Sequence, residues 1–284
     1  MENKNSGIVT VGLIQMKIAE AQVDNLAKTI DAVRALAKKG AQIISTSELF
    51  LSRYFCQKKD DRFFSLAEAI PGPTTNAFSL VAREMGVVIV VSVFEKAGTK
   101  YFNTAAVIDA DGTLLGTYRK MHIPDDPEHG YGEATYFSSG DLGVRVFETK
   151  YARIAPMICW DQWFPEGARI AASEGAQILF YPTAIGWHKN DSKPIRAAEH
   201  DAWQTVQRSH SIANNIFTVA VNRVGVEDDL RFWGTSFVSD PYGRVIAKGS
   251  TKGEKNIIVK CDLGLIEAMR KDWPFLDSRK IGHG

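Results

Sequence analysis

Glu48, Lys120 and Cys159 are three side chains whose types can together run a covalent hydrolysis. A carboxylate takes a proton, a cation holds a developing oxyanion, and a thiolate attacks a carbonyl carbon. Each follows an apolar run that reads as a strand. Cys159 closes the run 154–158, and a polar turn then leads to a helix opening at Pro165. A thiol facing a helix N-terminus has unpaired N–H groups and the positive end of a dipole beside it, which favours its thiolate. Taken singly, each residue also has a plainer reading. A free cysteine after an apolar run is a small core hydrophobe, Glu48 a helix-terminus carboxylate, and Lys120 a solvated loop lysine. Three reactive types at equivalent strand ends, where α/β folds build their sites, tip the reading toward chemistry.

The elements that must position them alternate along the chain. Strands are expected at 8–14, 42–46, 87–95, 101–109, 114–119, 153–158, 177–182, 217–222 and 256–261, with a hairpin at 235–239 and 244–247. Helices are expected at 24–39, 76–85, 166–174, 196–214 and 263–270. In the first of these Leu26, Ile30, Val33, Leu36 and Ala37 share one face and Gly40 ends it. Residues 121–143 read as one long loop rich in Pro, Asp and Gly, the kind that carries function. The alternation argues for an α/β layered fold, and the hairpins mean mixed sheets.

Composition bounds the rest. With 284 residues, 45% hydrophobic and 24% charged, the chain reads as one folded domain spanning 1–284, with 272–284 a tail. A formal net charge of +1 without a basic patch gives no sign of a nucleic-acid partner. Cys56, Cys159 and Cys261 are odd in number and far apart, so neither a disulfide framework nor a C-x-x-C zinc site is expected. None of the six histidines has metal-ligand spacing, and there is no G-x-S-x-G elbow, P-loop or G-x-G-x-x-G. The polar start and the lack of a long apolar run give no signal peptide and no membrane span, so a cytoplasmic protein with a free thiol is expected.

Ser47-Glu48-Leu49-Phe50, Tyr118-Arg119-Lys120-Met121-His122 and Ile158-Cys159-Trp160-Asp161, followed by Phe164-Pro165-Glu166, resemble the three motifs of the nitrilase, or carbon–nitrogen hydrolase, superfamily. The resemblance runs over about residues 8–275. It implies a four-layer αββα sandwich with a Glu-Lys-Cys triad, no cofactor and no metal, and self-association into dimers or larger homo-oligomers. It places Glu133 as a second glutamate that orients Lys120 or the substrate. In the same terms Glu48 is the base, Cys159 the nucleophile, and Lys120 with the N–H after Cys159 the oxyanion donors.

Further segments, among them Tyr54-Phe55-Cys56-Gln57, His122-Ile123-Pro124-Asp125 and Asn222-Arg223-Val224-Gly225, resemble the branch that hydrolyses N-carbamoylputrescine. The segments 126–129 and 187–202 fit that branch less closely. Carbamoyl amino acids carry a carboxylate suited to arginine, and relatives of that kind place arginines just after the cysteine. Here Gln162 and Trp163 hold those places. A small-molecule substrate with a cationic end is therefore expected, its methylenes in a channel of Tyr54, Phe55, Trp160 and Trp163. Its ammonium would be capped by Asp125, Asp126 or Asp191. A β-ureidopropionase or aliphatic amidase is the alternative, favoured if Arg53, Arg196 or Arg208 enters the site. A non-catalytic oligomeric scaffold is the alternative of another class, and an ammonia-supplying glutaminase a further one. The apolar segment 273–276 is expected to pack, on a neighbouring subunit or on its own domain.

Overall fold

Apolar side chains alternate along the first strand, and that alternation sets the layers. In the computed structural model, which describes residues 7–280, Val9, Val11 and Leu13 of strand Ile8–Gln15 enter a core shared with a second sheet. Ile14 instead joins a core beneath two helices. Strand Val88–Ala97 repeats the split, with Val88 and Val90 on one side and Ile89 and Val91 on the other. A sheet that is apolar on both faces needs a covering layer on each.

Two six-stranded sheets form the inner layers. The first runs in the order Lys255–Asp262, Ile8–Gln15, Ile43–Ser45, Val88–Ala97, Lys100–Ile108, Leu114–Arg119. The second runs Val245–Lys248, Phe237–Ser239, Phe217–Asn222, Ile178–Thr183, Arg153–Pro156, Phe147–Glu148. Each has a parallel centre and antiparallel edges. Helices α1 (Gln22–Lys38) and α2 (Pro73–Met85) cover the first sheet, through Val33, Leu36, Phe78 and Val81. Helices α3 (Pro165–Ser173) and α4 (Lys193–Asn214) cover the second. The architecture is thus the mixed-sheet αββα sandwich the sequence led us to expect.

The differences are local. Residues 121–143 are not one open loop. They hold a two-stranded pairing of Asp125–Asp126 with Tyr131–Gly132 and two short 3-10 turns. A three-stranded sheet of Gly186–His188, Leu230–Trp233 and Val224–Glu227 was not anticipated. Its strands are three or four residues long, and one of them is paired across more than forty positions of sequence. The cysteine strand stops at Pro156, and Cys159–Trp163 is a 3-10 turn before α3.

A last helix, α5 (Gly264–Asp272), leads into a tail that docks on its own chain. Leu276 packs on the main core and the Trp273 ring meets Tyr242, while Trp273 and Phe275 remain exposed. The polar start at 1–6 and the tail's end at 281–284 lie outside the described residues. Among the described residues no helix is long and apolar enough to cross a membrane.

Candidate active site

Glu48 follows strand Ile43–Ser45, on a turn that needs support because Leu49 has φ +47°. Support comes from three hydrogen bonds made by two side chains. The Leu49 N–H donates to Ser92 Oγ at 2.8 Å, and Arg223 Nη2 donates to the Glu48 and Leu49 carbonyls at 2.7 and 2.9 Å. Arg223 is itself wholly buried and paired with Glu227. Lys120 follows strand Leu114–Arg119, its N–H bonded to the Asn103 carbonyl at 2.8 Å. Gly140 packs over it so closely that a Cβ there would lie 2.1 Å from the Arg119 carbonyl oxygen.

These supports bring three ionisable side chains together with no solvent exposure. Lys120 Nζ donates to Glu48 Oε1 at 2.8 Å and to both Glu133 oxygens at 2.8 and 2.7 Å. Asn103 Nδ2 also donates to Glu48 Oε1, at 2.7 Å, and the Tyr54 hydroxyl donates to Glu133 Oε1 at 2.6 Å. Glu48 Oε2 is buried and has no hydrogen-bond partner among the described residues, so one lone-pair face of the carboxylate is left for a proton. Burial works against the Lys120 ammonium, but Glu133 and Glu48 outweigh it and hold it well above the usual lysine range. Burial raises the Glu133 carboxyl, Lys120 pulls it back and Glu48 raises it again, leaving it at about 7.

Cys159 begins the 3-10 turn at φ +42°, a left-handed conformation that costs a non-glycine residue about 1–3 kcal/mol. The first N–H groups of such a turn have no partner within it, so they are free to face an oxyanion. The thiol is buried, and the Ala184 backbone beside it works to favour the thiolate. Burial raises it well above the usual cysteine range, Glu48 adds to this, and Lys120 pulls against it. The sequence suggested a turn that favours the thiolate. At rest, burial and the Glu48 charge prevail and the sulfur keeps its proton, so the site needs a base at the moment of attack. Cys56 is buried close to the same charges but lies within an aromatic cluster.

Cys159 and Glu133 form the floor of a cavity of about 370 Å³, the size of a small-ligand site. Trp160, Trp163, Tyr131, Ile185 and Trp233 are among its walls, and Asp126, His129, His188, Asp191 and Glu199 carry its polar groups. Among the described residues, no lysine or arginine lines it. Asp126 faces the His129 ring at 2.9 Å and Asp191 accepts the His188 N–H at 2.6 Å, whereas Glu199 has no ion-pair partner among the described residues. Burial and Asp191 raise the Glu199 carboxyl.

The structure thus puts Trp160, Trp163, Asp126 and Asp191 where substrate contacts were expected, and moves others. Tyr54 is buried behind Glu133 and does not line the cavity; its hydroxyl is spent on that carboxylate. Phe55 stacks on Phe63 and Phe94 in the aromatic cluster. Asp125 is exposed and outside the lining, because strand alternation turns it and Asp126 to opposite sides. Gln162 is buried away from the cavity, held by the Trp203 indole N–H at 2.9 Å, so Trp163 alone of that pair lines the cavity. Arg53 pairs with Glu20 and Asp228, Arg196 donates to the His188 and Lys189 carbonyls, and Arg208 donates to the Gly243 carbonyl. None of the three lines the cavity.

Sequence reasoning missed Asn103 and Glu199. Asn103 was detectable as a polar residue inside an apolar strand, which demands a partner. Glu199 sits on an otherwise solvated helix turn and carries no such signal.

A family model described as carbon–nitrogen hydrolase matches residues 10–271. The N-carbamoylputrescine amidase of Solanum lycopersicum is 43% identical over 99% of this chain and 94% of its own length. The citrullinase of Francisella tularensis subsp. tularensis is 39% identical over 96% of this chain and 95% of its own. Among solved structures, a carbon–nitrogen hydrolase from Helicobacter pylori G27 superposes with a TM-score of 0.92 at 38% identity, covering 96% of both chains.

Proposed function

Because the chain belongs to the carbon–nitrogen hydrolase family, we propose that it cleaves a small N-carbamoyl amine, foremost N-carbamoylputrescine, to putrescine, CO2 and ammonia. The observation that carries this reading is one site with two characters. At and beneath its floor lies a buried Glu48–Lys120–Glu133 cluster beside Cys159, and its mouth holds three carboxylates and no lysine or arginine.

In this reading Glu48 takes the Cys159 proton through its unpartnered oxygen as sulfur attacks the carbamoyl carbon. Negative charge moves to the carbonyl oxygen, where Lys120 and the Trp160 N–H stabilise it; one such donor contributes about 10²–10³ in rate. The C–N bond then breaks, and the leaving nitrogen takes the proton from Glu48. Water attacks the resulting thiocarbamate while Glu48 takes a proton from it, Cys159 recovers its own, and the carbamic acid released loses CO2 to free the second nitrogen. Glu133 keeps Lys120 charged and aimed. The four methylenes of N-carbamoylputrescine lie along Trp160 and Trp163, and its ammonium meets Asp191 and Glu199.

Citrulline carries the same ureido group and an ammonium, and also a carboxylate that this cavity gives no cation to hold. That ranks it second here, although the Francisella relative bears the name citrullinase. The product places the reaction in polyamine formation, and a homo-oligomer in a reducing cytoplasm suits the exposed Trp273 and Phe275 and the free thiol. The test is ammonia release by the purified protein from N-carbamoylputrescine, citrulline and N-carbamoyl-β-alanine, with Cys159→Ala in parallel. Turnover of the first in preference to the others, lost in the variant, is expected. Turnover that survives Cys159→Ala, or none of any substrate, removes the proposal.

A further inference from the structure

Asp161 is a carboxylate, 2% exposed, that takes no part in the steps above. It nevertheless faces four polar groups from the two segments that carry Lys120 and Cys159. Oδ2 accepts the Tyr118 hydroxyl at 2.7 Å and the Ile158 N–H at 3.0 Å. Oδ1 accepts the His122 N–H at 3.0 Å and faces His122 Nδ1 at 2.7 Å. Tyr118 and His122 stand two positions before and after Lys120, and Ile158 stands immediately before Cys159. The Asp161 N–H also bonds back to the Ile158 carbonyl at 3.0 Å. The left-handed Cys159 therefore sits inside a small ring closed by Asp161 through both its side chain and its backbone.

We infer that Asp161 is a positioning residue that sets Lys120 against Cys159. The inference rests on the roles given to those two residues above. Capping the 3-10 turn needs only the Ile158 N–H. The bonds to Tyr118 and His122 reach 43 and 39 residues along the chain and serve nothing in the turn. The His122 ring is further fixed by stacking on Phe164, 3.7 Å between centroids and 8° between planes. A hydroxyl and two amide N–H groups are donors here, and an ionised carboxylate is the side chain of this size that accepts them all. Asparagine has the same shape but turns an NH2 onto a donor. The lysine segment and the nucleophile turn are then no longer held to one point.

The experiment measures ammonia release from N-carbamoylputrescine by Asp161→Asn, Tyr118→Phe and the double variant, with the rate of Cys159 alkylation by iodoacetamide. Asp161→Asn is expected to lower kcat about 10–100-fold with KM within about threefold, because displaced groups lose transition-state contacts more than ground-state binding. Tyr118→Phe lowers kcat less, and the double variant is no slower than Asp161→Asn, since both cut one linkage. Alkylation slows in the same order. A kcat of Asp161→Asn within about twofold of wild type, or losses that multiply in the double variant, overturns the inference. Should Asp161→Asn not fold, Tyr118→Phe and His122→Ala retain Asp161 and cut its reach to the lysine segment. Reduced kcat at unchanged KM then supports the inference, and unchanged kcat overturns it. If wild type releases no ammonia, the proposed reaction fails, and the alkylation series alone decides the role of Asp161.

Discussion

The floor and the mouth of one cavity are built by opposite rules. At and beneath the floor, Glu48, Lys120 and Glu133 have no exposure and are held by Asn103, Tyr54 and Arg223. At the mouth, Asp126 and His129 are exposed and pair with each other, and Glu199 has no ion-pair partner among the described residues. Buried charges cost several kcal/mol each unless fully paired, so the floor tolerates almost no change of residue type. Exposed carboxylates are worth about 1 kcal/mol or less apiece, so the mouth can be altered without unfolding the protein. Under the proposed function, the reaction belongs to the part that cannot vary, and substrate choice to the part that can.

The largest expected effect breaks the floor at its nucleophile. Cys159→Ala should lower ammonia release by at least about 10⁴-fold, since no neighbouring group replaces a covalent step. It should leave Tm at or above that of wild type, because the left-handed turn then carries a smaller side chain and no buried thiol. Lys120→Met should cost about 10²–10³ in kcat through the lost oxyanion donor. It should also cost about 3–5 kcal/mol of stability, because Glu48 and Glu133 are then buried as two like charges without a cation. Thermal melts beside the kinetics separate the two losses.

A smaller effect is read against pH. Glu133 is held at about 7, so below that pH it is protonated, and above it the full charge faces Lys120. kcat/KM should therefore rise with pH through about 7 in wild type. Glu133→Gln should lose that limb and run about tenfold slower. A limb near 7 that survives in the variant assigns it to another group.

The smallest effect sharpens the contrast at the mouth. Asp191→Asn and Glu199→Gln should each raise KM for N-carbamoylputrescine about 2–5-fold with kcat unchanged, as expected for half-exposed charge pairs.

The same contrast governs what could be read from the sequence. Floor residues stand at strand ends in apolar surroundings, and Glu48, Lys120 and Cys159 showed there as reactive types out of place. The α/β layering was equally legible in the alternation of strands and helices, while the four-layer sandwich was implied by the family resemblance. Strands such as Ile8–Gln15 and Val88–Ala97 carry apolar side chains on both faces, as inner layers must. The mouth left a weaker trace. Asp125 and Asp126 look alike in a sequence, and only the short pairing with Tyr131–Gly132 turns one of them inward. Tyr54 reads as a substrate contact and Gln162 stands where relatives carry an arginine, but the Tyr54 hydroxyl is bound to Glu133 and Gln162 Oε1 to Trp203, across 79 and 41 residues. The three-stranded sheet that carries Trp233 was not anticipated for a related reason, since strands this short are fixed by distant partners and not by their own periodicity.

The most direct test is the ratio of kcat/KM for N-carbamoylputrescine to that for N-carbamoyl-β-alanine, in wild type and in the Asp191→Asn, Glu199→Gln double variant. The account predicts a wild-type preference of at least about tenfold that shrinks about fivefold or more in the variant, with kcat on N-carbamoylputrescine unchanged. Equal turnover of the two substrates by wild type, or a preference that the variant leaves intact, would contradict it.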